Sequence, residues 1–223
     1  NVYQEDIYVG YRYFETFAPQ KVKFPFGFGL SYTDFSIEPG CARVKNDQME
    51  IGVRVRNTGS RYAGKEVVQV YYSAPQGKLG RPVKELAAFA KTGLLQPGQE
   101  ELVTVSFPIA GMAAYDDGGY TGNRSCYVLE KGIYEIFVGN SSRNLVRVQV
   151  VEGDRASENA EKTDTRFQLP QTRVTRRLEE ACAPQKSFLR LVPGKRKEDG
   201  TFEPAGQRVP EASVSLEERI RDR

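Results

Sequence analysis

Acid–base chemistry in this chain would have to come from side chains other than histidine, because its 223 residues include none. That absence removes Ser-His-Asp and Cys-His nucleophilic sites, together with metal sites that need an imidazole. Of the adjacent acidic pairs in the sequence, two are considered as candidates, Glu5-Asp6 and Asp116-Asp117, the second in a glycine-rich loop. Both are more typical of a solvated surface or turn than of paired catalytic carboxylates, since glycines after Asp117 favour a turn. The sequence therefore predicts no catalytic residue, no metal site and no cofactor in this chain.

Cysteine spacing and net charge narrow the classes of function further. Cys41, Cys126 and Cys182 are widely separated and odd in number, as expected for reduced thiols, which mildly favours a reducing, cytoplasmic setting. The 32 Lys and Arg residues against 29 Asp and Glu residues leave a net charge of +3. This charge is too small, and too evenly mixed, to indicate nucleic-acid binding. No apolar run approaches the roughly 20 residues that span a bilayer, so we expect neither nucleic acid nor a membrane as a partner.

Short alternating runs between residues 34 and 151 predict β-strands. Residues 49–56 place Met49, Ile51, Val53 and Val55 on one face and polar residues or glycine on the other. Further strand patterns occupy residues 66–72, 83–95, 101–107, 133–138 and 144–151. Six or seven short strands in about 115 residues, bounded by turn residues and without amphipathic helices between them, indicate an all-β antiparallel sandwich.

The segment before the predicted sandwich has a different character. Residues 1–33 combine aromatics with Pro25, Gly27 and Gly29 and show neither a helical nor a strand period. Proline and glycine impose turns and permit close backbone approach. The sequence therefore predicts an irregular strap over residues 1–33, packed on something larger.

The segment after the sandwich, residues 152–223, is predicted to be a polar extension. It begins with a charged linker over 152–165, followed by a short helix over 175–183 and a hairpin over 188–202. Ser215-Leu216-Glu217-Glu218 is a capping box that would open a helix running to Arg223. Since that helix is cut short and Asn1 is not an initiator Met, we expect the chain to be truncated at both ends.

Several segments of the chain, taken together and in order, resemble one enzyme family. Alone each would be weak, but in combination they cover residues 1 to about 150 and resemble family 3 glycoside hydrolases. The resemblance is to the end of the α/β-sandwich domain and to the fibronectin-III/immunoglobulin-like β-sandwich domain that follows it. The matching segments are YVGYRYF at 8–14, FPFGFGLSY at 24–32, NTG at 57–59, AGKEVVQVY at 63–71, RPVKEL at 81–86, LQPG at 95–98 and GIYEIFVGNSS at 132–142.

The resemblance implies a segment of a retaining β-glycosidase, most closely a β-glucosidase acting on β-linked gluco-oligosaccharides. In that family the nucleophile is an Asp on a TIM barrel and the acid a Glu on the α/β sandwich, and neither motif occurs here. The chain would therefore scaffold catalytic domains, with the α/β sandwich and the TIM barrel as its partners and a β-glucoside as the substrate. The extension resembles members with permuted domain order, in which the Ser215 helix would lead into the barrel.

Two groups of residues could contact sugar within such an enzyme. The loop at 115–127 departs from the family, and its Tyr120, Asn123 and Arg124 are candidates for the rim of an outer substrate subsite. The strap aromatics could stack on sugar rings, but burial between domains is favoured because each ring can remove 150–250 Å² from water. Two alternatives remain: a carbohydrate-binding module, which predicts affinity for glucans, and an adhesion-type fibronectin domain, which leaves the strap unexplained.

Overall fold

The computed structural model describes residues 7–152, 167–175 and 188–209. These ranges contain one α-helix, two short 3₁₀ turns and fifteen strands. The helix is α1 (Tyr11–Phe17), and the 3₁₀ turns are Pro19–Lys21 and Ile109–Met112. The strands are β1 (Phe35–Lys45), β2 (Gln48–Asn57), β3 (Val67–Ser73), β4 (Glu85–Lys91), β5 (Glu100–Pro108), β6 (Ala114–Asp116), β7 (Cys126–Leu129), β8 (Gly132–Ile133), β9 (Glu135–Gly139), β10 (Leu145–Val148), β11 (Val150–Glu152), β12 (Gln168–Leu169), β13 (Thr172–Arg173), β14 (Phe188–Arg196) and β15 (Phe202–Val209).

The core lies between two four-stranded sheets. The first sheet has the order β11-β1-β2-β5 and the second the order β10-β9-β3-β4. In β2, the four residues that the sequence places on one face, Met49, Ile51, Val53 and Val55, are fully buried. The predicted all-β sandwich is thereby confirmed. One pair departs from the antiparallel rule, since β11 runs parallel to β1.

Strand β3 is buried on both of its faces. Val68, Val70 and Tyr72 point into the core between the sheets, as the alternation predicts. Gln69 and Tyr71 lie on the opposite face and are also buried, because the N-terminal strap covers them. Strands covered on both sides lose the hydrophobic–polar alternation of a half-buried strand. The outer face of the second sheet is therefore a packing surface.

The strap is more regular than its sequence predicts, since Tyr11–Phe17 form helix α1. No side chain caps its first turn, which begins at Gly10, and aromatic residues are weak helix formers. The buried hydroxyl of Thr16 instead donates to Arg12 O inside the helix at 2.6 Å and accepts from Val83 N at 3.1 Å, which is a tertiary contact. Short helices are stabilised mainly by packing, so a seven-residue helix of this composition has no clear sequence period.

Two described parts of the extension pack on the sandwich. Residues 167–175 bring β12 against β8 and β13 against β7, and Phe167 joins the core. Where the sequence predicts a hairpin over 188–202, β14 pairs with β15, and the pairing runs on to Val209. Its Val192 and Pro193 lie against Gly80, whose φ of 65° suits glycine.

Some sequence predictions fall outside the described residues or concern single side chains. Within the described ranges, no helix is long and apolar enough to cross a membrane, and no acidic or cysteine cluster there could hold a metal. Of the cysteines in the described ranges, Cys41 is an exposed and Cys126 a buried free thiol. Outside these ranges lie Glu5-Asp6, nearly all of the predicted helix at 175–183, Cys182 and the capping box at Ser215.

Candidate functional site

The loop between β6 and β7 is organised around a buried carboxylate. Asp116 is fully buried, and its side-chain oxygens accept hydrogen bonds from Tyr120 N at 2.9 Å, Thr121 N at 2.8 Å and Thr121 Oγ1 at 2.7 Å. Its carbonyl oxygen accepts from Ser125 N at 2.6 Å. The prediction that Asp116 is solvated is therefore wrong, because an Asp side chain can satisfy the amides of a tight turn from inside it. Asp116 shapes the loop.

The three predicted rim residues, Tyr120, Asn123 and Arg124, lie on this one loop, and each is half-buried. The Tyr120 ring packs directly over Gly118, which leaves no room there for a Cβ atom. Arg124 packs against Gly119, whose φ is 76°. The glycines therefore permit a close turn that brings the three polar side chains onto one short segment.

The extension fastens the same loop from outside. Gln171 Nε2 donates to Thr121 O at 3.1 Å, and Tyr127 N donates to Thr175 Oγ1 at 3.0 Å. Asn123 Nδ2 donates weakly to Thr121 Oγ1 at 3.4 Å. Hydrogen bonds from the extension thus hold the loop at Thr121 and the adjoining strand at Tyr127, so the rim residues lie on a defined backbone.

The strap is fixed to the second sheet at Gly27. Its φ is 84°, and a Cβ atom there would lie 2.5 Å from Gln69 Nε2 and 2.6 Å from Asn140 O. The neighbouring Phe26 O accepts a hydrogen bond from Ser142 N at 2.8 Å. Only glycine fits both the dihedral angle and the space. The strap glycine and the Asn-Ser-Ser loop after β9 therefore dock on each other.

Tyr11 of helix α1 lies between Phe26 and the second sheet. Its ring stacks on Phe26, with centroids 5.1 Å apart, and meets Tyr71 edge-on at 5.9 Å. Its hydroxyl accepts from Leu86 N at 2.8 Å, which satisfies an amide of β4. Burial, reinforced by the nearby Tyr11 and Glu15, raises the pKa of the Tyr71 hydroxyl. Tyr11 therefore serves as an aromatic and polar anchor for the strap.

A charged latch joins α1 to the loop after β9. Arg143 Nε donates to Glu15 Oε1 at 2.9 Å, and its guanidinium also donates to Pro19 O at 2.7 Å. Beside it, Lys84 Nζ donates to Ser142 O at 3.2 Å. Burial lowers the pKa of Lys84 although Glu15 opposes the change. The latch and the Gly27 contact hold the strap at two separate points.

The RPVKEL segment forms a buried ion pair. Arg81 donates to Glu85 Oε2 from Nε at 3.0 Å and from its terminal nitrogen at 2.5 Å. It also donates to Met112 O at 3.0 Å and to the Tyr72 hydroxyl at 2.8 Å. Arg12 of α1 approaches the other carboxylate oxygen of Glu85 at 3.9 Å. The pair therefore connects α1, the second sheet and the 3₁₀ turn that precedes the rim loop.

The NTG segment (57–59) holds the C-terminal end of the strap against the sandwich. Asn57 is fully buried, and its Oδ1 accepts from Thr33 Oγ1 at 2.6 Å and from Gly59 N at 3.0 Å. Its Nδ2 donates to Tyr62 O and Leu95 O, each at 2.9 Å. One side chain thus satisfies four groups on three different segments, with no polar atom of its amide left over.

Outside these docking contacts, the strap exposes a large aromatic surface. Leu30 is 96% and Tyr32 91% exposed, and the rings of Phe24 and Phe28 lie 4.9 Å apart. Phe89 on β4 pairs with Gln69 across the sheet, so it extends the surface on the strap side. The rings of Tyr32 and Tyr62 lie 6.0 Å apart, and large exposed apolar patches are typical of interaction sites. We call it the aromatic face; it comprises Phe24, Phe26, Phe28, Leu30, Tyr32, Tyr62 and Phe89.

Comparison with known proteins identifies this arrangement. The model of the fibronectin type III-like domain matches residues 66–142. A solved β-glucosidase from Paenibacillus barengoltzii superposes with a TM-score of 0.89 at 52% identity, over 100% of this chain and 23% of that one. A family 3 (GH3) β-glucosidase from Bifidobacterium adolescentis superposes with a TM-score of 0.55 at 30% identity, over 69% of this chain and 23% of that one. The chain belongs to the family 3 glycoside hydrolases.

Within that family the chain corresponds to the fibronectin type III-like region and its flanks. A β-glucosidase from Ruminococcus albus is 42% identical over 192 residues, which are 86% of this chain and 18% of the relative. The chain thus spans about a fifth of the length of the curated relatives that it matches. The strap, the NTG and RPVKEL segments and the Asn-Ser-Ser loop pack on one another inside this region.

Three features of the region were not predicted from the sequence. The family segments can be recognised in the sequence. The contacts of Arg81 with Glu85 and of Gly27 with Asn140 form only in the folded chain, because they depend on its tertiary structure. The exposure of Phe89 was also missed. Its position opposite Gln69, on the outward side of the β3–β4 pair, could have suggested it once the pairing was known.

Proposed function

We propose that this chain is a scaffolding segment of a retaining β-glucosidase that hydrolyses β-linked gluco-oligosaccharides. The observation that carries the proposal is the aromatic face, which stays exposed on a strap that is fixed to its own sandwich at several points. A fixed apolar surface is suited to a permanent partner, here the α/β sandwich of the same enzyme. The β-glucosidase activity of the relatives supports the choice of reaction.

The scaffold would act by placing two carboxylates from other domains across one substrate. Retaining glycosidases need these groups about 5–5.5 Å apart, and a misplacement of about 1 Å can cost about 10²-fold in rate. A strap held by a buried hydrogen-bond network and by an ion pair is stiff enough for such placement. The residues of this chain orient the domains, and the β-glucoside reacts elsewhere.

Complementation tests the proposal. The chain is co-expressed with fragments carrying the upstream and downstream domains, and hydrolysis of an aryl β-glucoside is measured. We expect activity from the combination and none from this chain alone. Phe28→Ser should reduce the restored activity, whereas Leu102→Ser, at a residue 70% exposed on β5 of the other sheet, is the matched control. Activity from this chain alone, or equal loss from both variants, would refute the proposal.

We further propose that the rim residues Tyr120, Asn123 and Arg124 contact the outer end of longer substrates. Their half-buried side chains on a fastened loop support this role, because a defined backbone lowers the entropic cost of binding. In the intact enzyme, Tyr120→Ala should raise KM for longer oligosaccharides and leave KM for an aryl glucoside unchanged. An unchanged KM for the longer substrates would exclude the role.

The domain order is also a proposal. We place the strap (1–33) at the end of an α/β sandwich, the fibronectin type III-like domain at 34–151, and the extension (152–223) before a TIM barrel. The similarity to the Paenibacillus enzyme runs through the extension, which supports an extension that is a regular part of such enzymes. The coding sequence downstream of Arg223 tests the order, since a barrel is expected there.

A further inference from the structure

A cleft of about 520 Å³ lies between the β14–β15 hairpin and the outer face of the second sheet. The strap covers this face over Gln69 and Tyr71, and the hairpin stands over its neighbouring part. Contact of Val192 and Pro193 with Gly80 fixes the hairpin on one side. Small-molecule sites fall in the range of about 300–1,000 Å³. The cleft therefore has the size of a ligand site, and neither the aromatic face nor the rim loop contributes to it.

The strand registers place the polar groups of the cleft on facing walls. On the sheet wall, Ser73 lies directly opposite Glu135, and Arg147 lies diagonally on the same face. On the hairpin wall, Arg196 lies directly opposite Phe202. Side chains of directly opposed residues share one face of a sheet. The two walls therefore point their functional groups at each other across the gap.

The charges of the cleft do not balance. Arg147 Nε lies 3.3 Å from Glu135 Oε1, which neutralises both groups. Arg196 forms no ion pair with any residue in the described part of the chain, and its guanidinium lies over Gly200 at the turn of the hairpin. The lining thus carries one positive charge in excess. A guanidinium presents a planar fork of donors that matches a carboxylate in bidentate fashion.

The remaining lining is mostly apolar, with Gln76 as a further polar side chain. Its apolar part consists of Ala74, Pro75, Val83, Ile133 and the half-buried ring of Phe202. An aromatic ring is a suitable surface for the C–H face of a pyranose, while the Arg147–Glu135 pair offers both donors and acceptors to sugar hydroxyls. A simple carboxylate would interact only with the charge of Arg196. A neutral sugar would use only the Phe202 ring and the hydrogen bonds of the Arg147–Glu135 pair.

We propose that this cleft binds an acidic sugar, a pyranose that carries a carboxylate. The carboxylate pairs with Arg196, the ring lies against Phe202, and the hydroxyls face the Arg147–Glu135 pair. The site is separate from the scaffolding role and does not depend on hydrolysis by the rest of the enzyme. It would give this region a binding activity of its own toward uronic-acid units of a polysaccharide.

Titration of the isotope-labelled full chain, followed by NMR chemical shifts, tests the proposal with three probes: glucuronate, glucose and acetate. We expect saturable shifts at cleft residues, with glucuronate binding at least about 10-fold more tightly than either glucose or acetate, since each supplies only part of the recognition. Added salt should weaken the glucuronate binding, because screening reduces the charge contribution. Equal binding of glucose and glucuronate, equal binding of acetate and glucuronate, or no saturable shift would each overturn the proposal.

Variants separate the site from the fold. Arg196→Ala should weaken glucuronate binding about 10-fold or more, and Phe202→Ala should weaken it while sparing any weak acetate binding. Lys195→Ala removes a charge from the adjacent hairpin residue, which lies outside the cleft lining, and should leave binding unchanged. Because Arg196 is exposed, its removal should not alter the unfolding midpoint. Equal effects of Arg196→Ala and Lys195→Ala would mean that only net charge matters, and the assigned site would be wrong.

Discussion

Replacement of Arg81 by methionine removes the positive half of the buried pair and leaves its partners in place. Glu85 is only 9% exposed, so its carboxylate would lose two hydrogen bonds without gaining adequate hydration. The Tyr72 hydroxyl and the Met112 carbonyl would each lose one more hydrogen bond. The substitution thus tests whether the RPVKEL segment, which resembles a family motif, is also required for the stability of the chain.

The magnitude follows from the cost of an uncompensated buried charge. Removing one member of a buried ion pair costs about 3–5 kcal/mol, and total stabilities of domains are about 5–15 kcal/mol. We therefore expect Arg81→Met to remove about a fifth or more of the free energy of unfolding. Arg12 lies 3.9 Å from Glu85 with a side chain 38% exposed, and exposed pairs contribute about 0–1 kcal/mol. Arg12→Ala should accordingly cost less than about 1 kcal/mol.

Urea unfolding of the purified chain measures these costs, and a double variant provides the decisive comparison. In Arg81→Met/Glu85→Leu the orphaned carboxylate is gone, and buried pairs replaced by apolar residues are often neutral in stability. The double variant should therefore be more stable than Arg81→Met alone, with a coupling energy of about 2 kcal/mol or more. A cost below about 1 kcal/mol for Arg81→Met, or simple additivity in the double variant, would show that Glu85 is solvated and the reasoning mistaken.

Three further measurements address other contacts. Gly27→Ala should undock the strap and lower the free energy of unfolding several-fold more than Gly98→Ala. Gly98 also has a positive φ, of 79°, but an added Cβ atom there would meet nothing within 4 Å. Equal losses of stability in the two variants would rule out the close contact at Gly27. Asp116→Ala should cost about 2–4 kcal/mol by leaving buried amides of the rim loop unsatisfied, with Asp116→Asn intermediate; an unaffected midpoint would contradict the loop geometry. Burial raises the pKa of Tyr134 from 10.0 to about 12. The stability contributed by its protonated hydroxyl is therefore fully present below pH 10 and is lost as pH rises to about 12. Wild type should lose stability relative to Tyr134→Phe across that window, and parallel plots of stability against pH would argue against burial.

The sequence alone was sufficient to predict which side chains are buried where a strand has one buried face and one exposed face. The alternation of β2 directly predicted its burial, from Met49 to Val55. It was insufficient where tertiary contacts override local preference. Helix α1 depends on Thr16 bonding to Val83, 67 residues away, and the burial of Asp116 depends on amides that only the folded turn brings inward. The rim residues could be chosen from residue type, but their support by Gln171 comes from an extension predicted only as a polar linker with a short helix and a hairpin.

The strap segment FPFGFGLSY has an inward and an outward set of residues, and the residue types of the two sets differ. Gly27 and the Phe26 carbonyl face the Asn-Ser-Ser loop of the same chain, whereas Phe24, Phe28 and Leu30 face outward. A strap that only closed its own sandwich would need the first set and not the second, because exposed apolar patches carry a risk of aggregation. The two sets should therefore separate in experiment. Substitutions at the inward set alter the stability of this chain, and substitutions at the outward set alter assembly of the enzyme at unchanged stability.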